Sequence, residues 1–270
     1  MSSDNPSKIN KLLRNWPPGT VAVLPWLEKQ GVNGKLAQKY ERTSWLQRVG
    51  HGAYMKVSDK VEWLGGLYAL QEQLNLPVHA GAKTALQLLG YAHFLPLGQG
   101  MTVSIFSAPG TRLPAWFQKY SWGVKLRHVS TGLFSDDNST GLTQHSLGGF
   151  SIRISSPERA IMETLHLVPR DESYDEARLL MEGLTTLRPG LVQTLLERCT
   201  SVKVKRLFMV LAEGSGHVWV NKLNPVQVDF GQGKRMLVKG GRLHPKYLIT
   251  VPGPQHEGQP GIGNSVLFLI

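Results

Sequence analysis

The chain has 270 residues, 30 Lys/Arg against 19 Asp/Glu, a net charge of +11 and one cysteine. That length fits one large domain or two ordinary ones, and Cys199 alone can form neither an internal disulfide nor a zinc site. No apolar run is long enough to span a bilayer, and residues 1–13 lack the apolar core of a secretory signal, so no membrane contact and a cytoplasmic location are expected.

The charge is uneven along the chain. Residues 1–60 carry ten Lys/Arg against four Asp/Glu, residues 61–219 carry fourteen against thirteen, and residues 220–270 carry six against two. A basic excess at both ends around a balanced middle points to a polyanionic partner.

Ser7 to Asn15 predicts a first helix with Ile9, Leu12 and Leu13 on one stripe, stopped by Trp16-Pro17-Pro18-Gly19. Pro25 suits the first turn of a second helix ending near Gln30-Gly31. Asn33 can cap a third helix over about Gly34 to Thr43. In it Leu36, Ala37 and Tyr40 form an apolar stripe, and Lys35, Gln38, Lys39 and Arg42 fall together on the opposite face. Such donors suit a helix in the DNA major groove, and in isolation they equally suit a solvated face.

Context decides between those readings. Leu46 to Val49 and Ala53 to Val57 flank Gly50-His51-Gly52 and predict a hairpin. Three helices and a basic hairpin within sixty residues describe a winged helix-turn-helix. Trp45, Leu46, Val49 and Tyr54 are expected to seal its core, while Arg48, His51 and Lys56 would touch a flanking backbone or minor groove. His51 is also compatible with a solvated turn tip. Gln38 is the best candidate for base readout, because an amide can pair bidentately with adenine.

A domain boundary is expected near Asp59-Lys60, followed by a larger mixed α/β domain, for an α+β chain overall. Helices are predicted over Trp63 to Leu74, weakened by Gly65 and Gly66, and over Ala82 to Leu89. MTVSIFS (101–107), VKLRHV (124–129) and SIRI (151–154) read as strands, and LPAWFQKY as one or two helical turns. Ser155-Ser156-Pro157-Glu158 opens a helix, with serine as cap and proline in the first turn. Residues 173–213 predict up to three helices, broken at Arg188-Pro189-Gly190 and near Thr200-Ser201. The end of the chain, from Val228, predicts a hairpin or two strands. Lys234, Arg235, Lys239, Arg242 and Lys246 crowd it among glycines; they suit phosphate contact through side chains and backbone N–H groups, or an edge protected against pairing. A helical cluster, Arg198, Lys203, Lys205 and Arg206, is a lesser candidate for such contact.

Local enzyme motifs fail on inspection. Gly231-Gln232-Gly233-Lys234-Arg235 lacks the spacer and the Ser/Thr of a phosphate loop. Asp136-Asp137 are adjacent, whereas strand-borne metal carboxylates must alternate. Glu158, Glu163 and Asp229 show no nuclease-like arrangement, the nine histidines no ligand spacing, and Ser104, Ser107 and Ser146 no nucleophile context. Cys199 reads as a packing residue. No catalytic residue, metal or cofactor is expected, and a nucleic-acid-processing enzyme with distant converging residues is the weaker alternative.

The segments PPGTV (17–21), a Leu-containing helix ending in QGV, and LAQKYERTSWLQRVGHGAY (36–54) resemble the N-terminal domain of the AbiEi antitoxin family. HAGAKTALQLLGYAHFL (79–95), SSPERAIMETL (155–165) and VDFGQGKRMLVKGG…YLITVP are similar to its C-terminal domain, so the resemblance covers nearly the whole chain. It implies a transcriptional regulator of a type IV toxin–antitoxin operon, active in phage defence. Such a regulator represses its own promoter at inverted repeats and antagonises a nucleotidyltransferase-like toxin indirectly. Inverted repeats imply two copies on DNA, as monomers or a weak dimer. A stand-alone regulator without a toxin, and a winged helix that binds protein or RNA, are the alternatives.

Overall fold

The computed structural model describes residues 8–91, 101–135 and 139–253. Helix α1 (Lys8–Asn15) buries Leu12, and the indole N–H of Trp16 just beyond it donates to the Thr20 carbonyl at 3.1 Å. A two-residue strand, β1 (Ala22–Val23), leads into α2 (Leu24–Lys29), with Pro25 in its first turn. Helix α3 (Gly34–Arg42) starts as expected: Asn33 accepts the Leu36 N–H at 3.0 Å. Strands β2 (Leu46–Gly50) and β3 (Ala53–Lys56) form the wing, and β1 pairs antiparallel with β3 to give the order β1-β3-β2.

This small sheet is buried on both faces, which the pleat makes inevitable once each face finds a partner. Ala22, Leu46 and Tyr54 join Leu12, Trp16, Leu27, Val32 and Ala37 in the three-helix core. Val21, Val23, Val49, Ala53 and Met55 turn the other way, into the core of the rest of the chain. Two expectations are thereby corrected. Val49 seals the other core, and Trp45, 48% exposed, seals neither.

Beyond the wing, α4 (Trp63–Tyr68) runs straight into a π-helical turn, Ala69–Gln73. The glycines that weaken this helix are there for close approach. A Cβ on Gly65 would lie 1.9 Å from the Gly19 carbonyl oxygen, and one on Gly66 would lie 2.8 Å from the Trp122 ring. The wider turn sends two buried amides to two different sheets. Gln73 accepts the Val23 N–H at 2.9 Å and donates to the Val21 carbonyl at 2.8 Å, closing the edge of the wing sheet. Gln71 donates to the Val78 and Arg153 carbonyls, both at 2.9 Å, and accepts the Arg153 N–H at 2.8 Å.

Those last partners belong to the central sheet. It comprises β4 (Val78–Ala80), β5 (Thr102–Ser107), β6 (Lys125–Ser130), β7 (Leu142–Leu147) and β8 (Phe150–Ser155), in the order β6-β5-β4-β8-β7. β5–β6 and β4–β8 are parallel, and β4–β5 and β7–β8 antiparallel. One face meets α6 (Ala115–Lys119), where Ile105, Leu113 and Phe117 line a common cavity. On the other face Phe106 packs with Ala82 of α5 (Ala82–Leu88) and Leu167 of α7 (Pro157–Leu167). Ser156 occupies the N-cap of α7 by backbone geometry but makes no side-chain capping bond, so the proline sets this start.

Helices α8 (Tyr174–Gly183), α9 (Pro189–Arg198) and α10 (Val202–Ser215) follow, broken where the sequence indicates. Outermost is a second small sheet of β9 (Arg235–Met236), β10 (Arg242–Leu243) and β11 (Ile249–Val251), in the order β10-β11-β9. It is no simple hairpin, because β11 lies antiparallel to β10 and parallel to β9. No described helix is long and apolar enough to cross a membrane.

Candidate nucleic-acid interface

Helix α3 presents Lys35, Gln38, Lys39 and Arg42 to solvent, and none of the three cations forms an ion pair among the described residues. Asn33 is exposed, but its side-chain oxygen is committed to the cap. Helix α1 adds Lys8, Lys11 and Arg14, also exposed, whose i, i+3, i+6 spacing sets them opposite the apolar stripe of Ile9, Leu12 and Leu13, a signal the sequence carries.

The wing departs from expectation. Arg48 donates to both Glu41 oxygens, at 2.9 and 2.6 Å, and its guanidinium lies 5.4 Å from the Tyr54 ring centroid. This bond holds the Glu41 carboxyl below, and the Arg48 guanidinium above, their ordinary values. Arg48 thus ties the wing to α3. Lys56 turns inward: its Nζ donates to the Trp16 carbonyl at 3.0 Å and lies 3.5 Å from Asp59, with 12% of its side chain exposed. His51 keeps an exposed place at the tip, where Gly52 has φ +70°. The tip itself is braced, since a Cβ on Gly50 would lie 2.6 Å from the Trp116 Cβ.

The C-terminal basic group also divides. Lys234, Arg235, Lys239 and Arg242 are exposed on and beside the two outer strands, whereas Lys246 is bound to Glu213 at 2.6 Å. The glycine loop faces the wrong way for a phosphate nest. Buried Arg206 gathers the carbonyls of Phe230, Gly231, Gly233 and Leu248, and the Gly231 N–H is taken by Asp229 at 2.8 Å. Most of the helical cluster is engaged inside the fold: Lys205 and Arg206 are buried and Lys203 donates to the His166 and Val168 carbonyls, while Arg198 stays exposed and donates to the Thr140 hydroxyl. Helices α7 and α10 lie between the central sheet and this small sheet, while the wing packs on the sheet's opposite side through α6 and the π turn.

The catalytic-looking groups are occupied in the fold. Glu163 accepts from His79, Arg159, Ser155 and the Ala82 N–H, all at 2.7–3.0 Å and all almost fully buried. Burial would raise the Glu163 carboxyl, but the His79 hydrogen bond and the Arg159 guanidinium outweigh it and hold it low. Burial pushes the His79 imidazole down against the opposing pull of the Glu163 carboxylate. Glu158 is paired with Arg188 at 2.9 and 3.0 Å, and burial pushes the Cys199 thiol up to about 11. Asp136-Asp137 lie outside the described residues. Among the described residues no three His, Cys, Asp or Glu side chains converge as a metal site.

Comparison with known proteins places the chain in a family. Residues 5–97 match the family described as transcriptional regulator, AbiEi antitoxin N-terminal domain. Residues 100–252 match that of transcriptional regulator, AbiEi antitoxin, type IV TA system. The first match therefore runs past the wing through α4, the π turn, β4 and α5. No curated protein matches the chain. The crystal structure of the RV2827C protein from Mycobacterium tuberculosis is similar in fold, with a TM-score of 0.56 and 13% identity over 90% of this chain and 91% of that one. With both matches in chain order, this chain belongs to the AbiEi antitoxin family of transcriptional regulators of type IV toxin–antitoxin systems.

Proposed function

We propose that the winged helix binds inverted repeats in the promoter of the chain's own operon, and that the protein counteracts a nucleotidyltransferase-like toxin without a tight complex. One observation carries the DNA half: Lys35, Gln38, Lys39 and Arg42 share an exposed face of a capped helix, and none of its three cations forms an ion pair among the described residues. The lysines and Arg42 neutralise phosphates, and Gln38 reads a base edge. Arg48 and Lys56 act indirectly by fixing the wing to the helices, which leaves His51 as the wing residue free to meet the duplex. The C-terminal basic surface lies across the central sheet from α3 and plays no part in this grip.

Fluorescence anisotropy with a duplex from the chain's own promoter tests it. Lys39→Ala and Arg42→Ala should each weaken binding and lower the slope of log K against log salt by about 0.9. Unchanged binding in both variants removes α3 from the interface. The antitoxic half predicts restored growth when the chain is co-expressed with a toxic neighbouring nucleotidyltransferase-like gene product, and absence of rescue refutes it.

A further inference from the structure

Trp45 is the exception among seven tryptophans. It is 48% exposed, belongs to neither core, and stacks on no other described ring. Its indole N–H, like those of Trp26, Trp63 and Trp116, has no hydrogen-bond partner among the described residues, but those three rings pack against a core and that of Trp45 does not. Its exposure is built in by a rigid corner. Ser44 adopts left-handed backbone (φ 56°), the Trp45 N–H is fixed to the Tyr40 carbonyl at 2.9 Å, and the Glu41–Arg48 pair clamps helix to wing beside it. Val57, half-exposed on the adjacent strand end, donates its N–H to the Trp45 carbonyl and extends the apolar spot.

An exposed indole this large marks a contact site. Two occupants are conceivable, a second copy of the chain or the nucleic acid, and charge separates them. The corner directly follows the helix that carries Lys35, Lys39 and Arg42, none of them in an ion pair among the described residues, so a self-association centred here would bring two net-cationic faces together. A polyanion meets no such penalty.

Building on the DNA-binding function proposed above, we infer that Trp45 is an uncharged duplex contact. Its ring lies against the sugar or base surface at the C-terminal end of α3, its N–H serves a backbone oxygen, and the cations neutralise phosphates beside it. The contact adds affinity without neutralising a phosphate, and salt dependence can isolate that property.

Anisotropy titrations of the promoter duplex at several salt concentrations, with wild type, Trp45→Ala, Trp45→Phe and Lys39→Ala, provide the test. The expected result is about tenfold weaker binding for Trp45→Ala with an unchanged salt slope, most of it restored in Trp45→Phe, and a lower slope only in Lys39→Ala. Thermal unfolding should be unchanged in both Trp45 variants, because the side chain lies in neither core. Binding by Trp45→Ala within twofold of wild type overturns the inference while the DNA reading stands. A changed sedimentation profile of the free Trp45→Ala protein with unchanged DNA affinity assigns the indole to a second copy and also overturns it. Failure of the wild type to prefer the promoter over a scrambled duplex overturns the DNA reading itself, and this inference with it.

Discussion

Replacing Gln73 with leucine tests whether one amide fastens the winged helix to the rest of the chain. The substitution keeps the side-chain bulk but removes the acceptor for the Val23 N–H and the donor for the Val21 carbonyl. Val21 and Val23 are 0% and 2% exposed, so water cannot take over either bond. Each stranded buried group costs about 1–3 kcal/mol, partly offset by the extra apolar burial of leucine, for a net loss of about 2–4 kcal/mol. Against a typical stability of about 5–15 kcal/mol, that is a large fraction. Guanidinium unfolding followed by tryptophan fluorescence would show a lower midpoint, and promoter affinity should fall at temperatures where the wild type still binds, although no DNA contact has been touched. A midpoint shift equivalent to less than about 1 kcal/mol would refute the reasoning, since the two bonds would then contribute no more than solvent-exposed ones.

Two other perturbations have defined outcomes. Gly65→Ala places a methyl group 1.9 Å from the Gly19 carbonyl oxygen, a contact relieved only by moving backbone, and thermal unfolding should report one of the largest losses of any single methyl addition in this chain. For Glu158, burial alone would raise the carboxyl, but the hydrogen bonds from Arg188 outweigh it and hold it at about 2, below its ordinary 4.5. The pair therefore stabilises fully above pH 4.5 and is lost as pH falls toward 2. That contribution amounts to about 2–3 kcal/mol once screening at the exposed side of Arg188 is allowed for. Glu158→Gln should flatten the pH dependence of the unfolding free energy in that window, and an unaltered profile would contradict the assignment.

Helices announced themselves in the sequence through apolar stripes and punctuation. Asn33, Pro157 and Pro189 mark starts that the chain obeys whatever surrounds them. Strands whose existence depends on a distant partner did not. β1 is two residues long and forms because β3 lies beside it, β7 is an edge strand of mixed polarity, and the parallel pairing of β9 with β11 follows from the way the chain wraps α10. The candidate site divides on the same principle. That residues 1–60 are basic is a property of composition; whether a given cation points outward depends on whether something inside the fold accepts it. Arg48 finds Glu41 seven residues back, Lys56 finds the Trp16 carbonyl forty residues back, and Arg206 finds three carbonyls in the glycine loop and that of Leu248. Lys39 and Arg42 find no ionic partner among the described residues. Trp45 misled in the opposite direction, because a tryptophan at the start of a strand ordinarily reads as core.

A winged helix joined through a flexible tether could be cut off, transplanted or left to swing. This one could not. Its three-stranded sheet gives one face to the helices and the other to Leu67, Leu70, Trp116 and their neighbours, so excision would lay bare Val21, Val23, Val49, Ala53 and Met55. Any graft onto a foreign body would have to carry the π turn and α6 with it. Regulation is constrained in the same way. On the DNA-binding function proposed above, a signal received on the central sheet would reach the wing through that shared apolar seam.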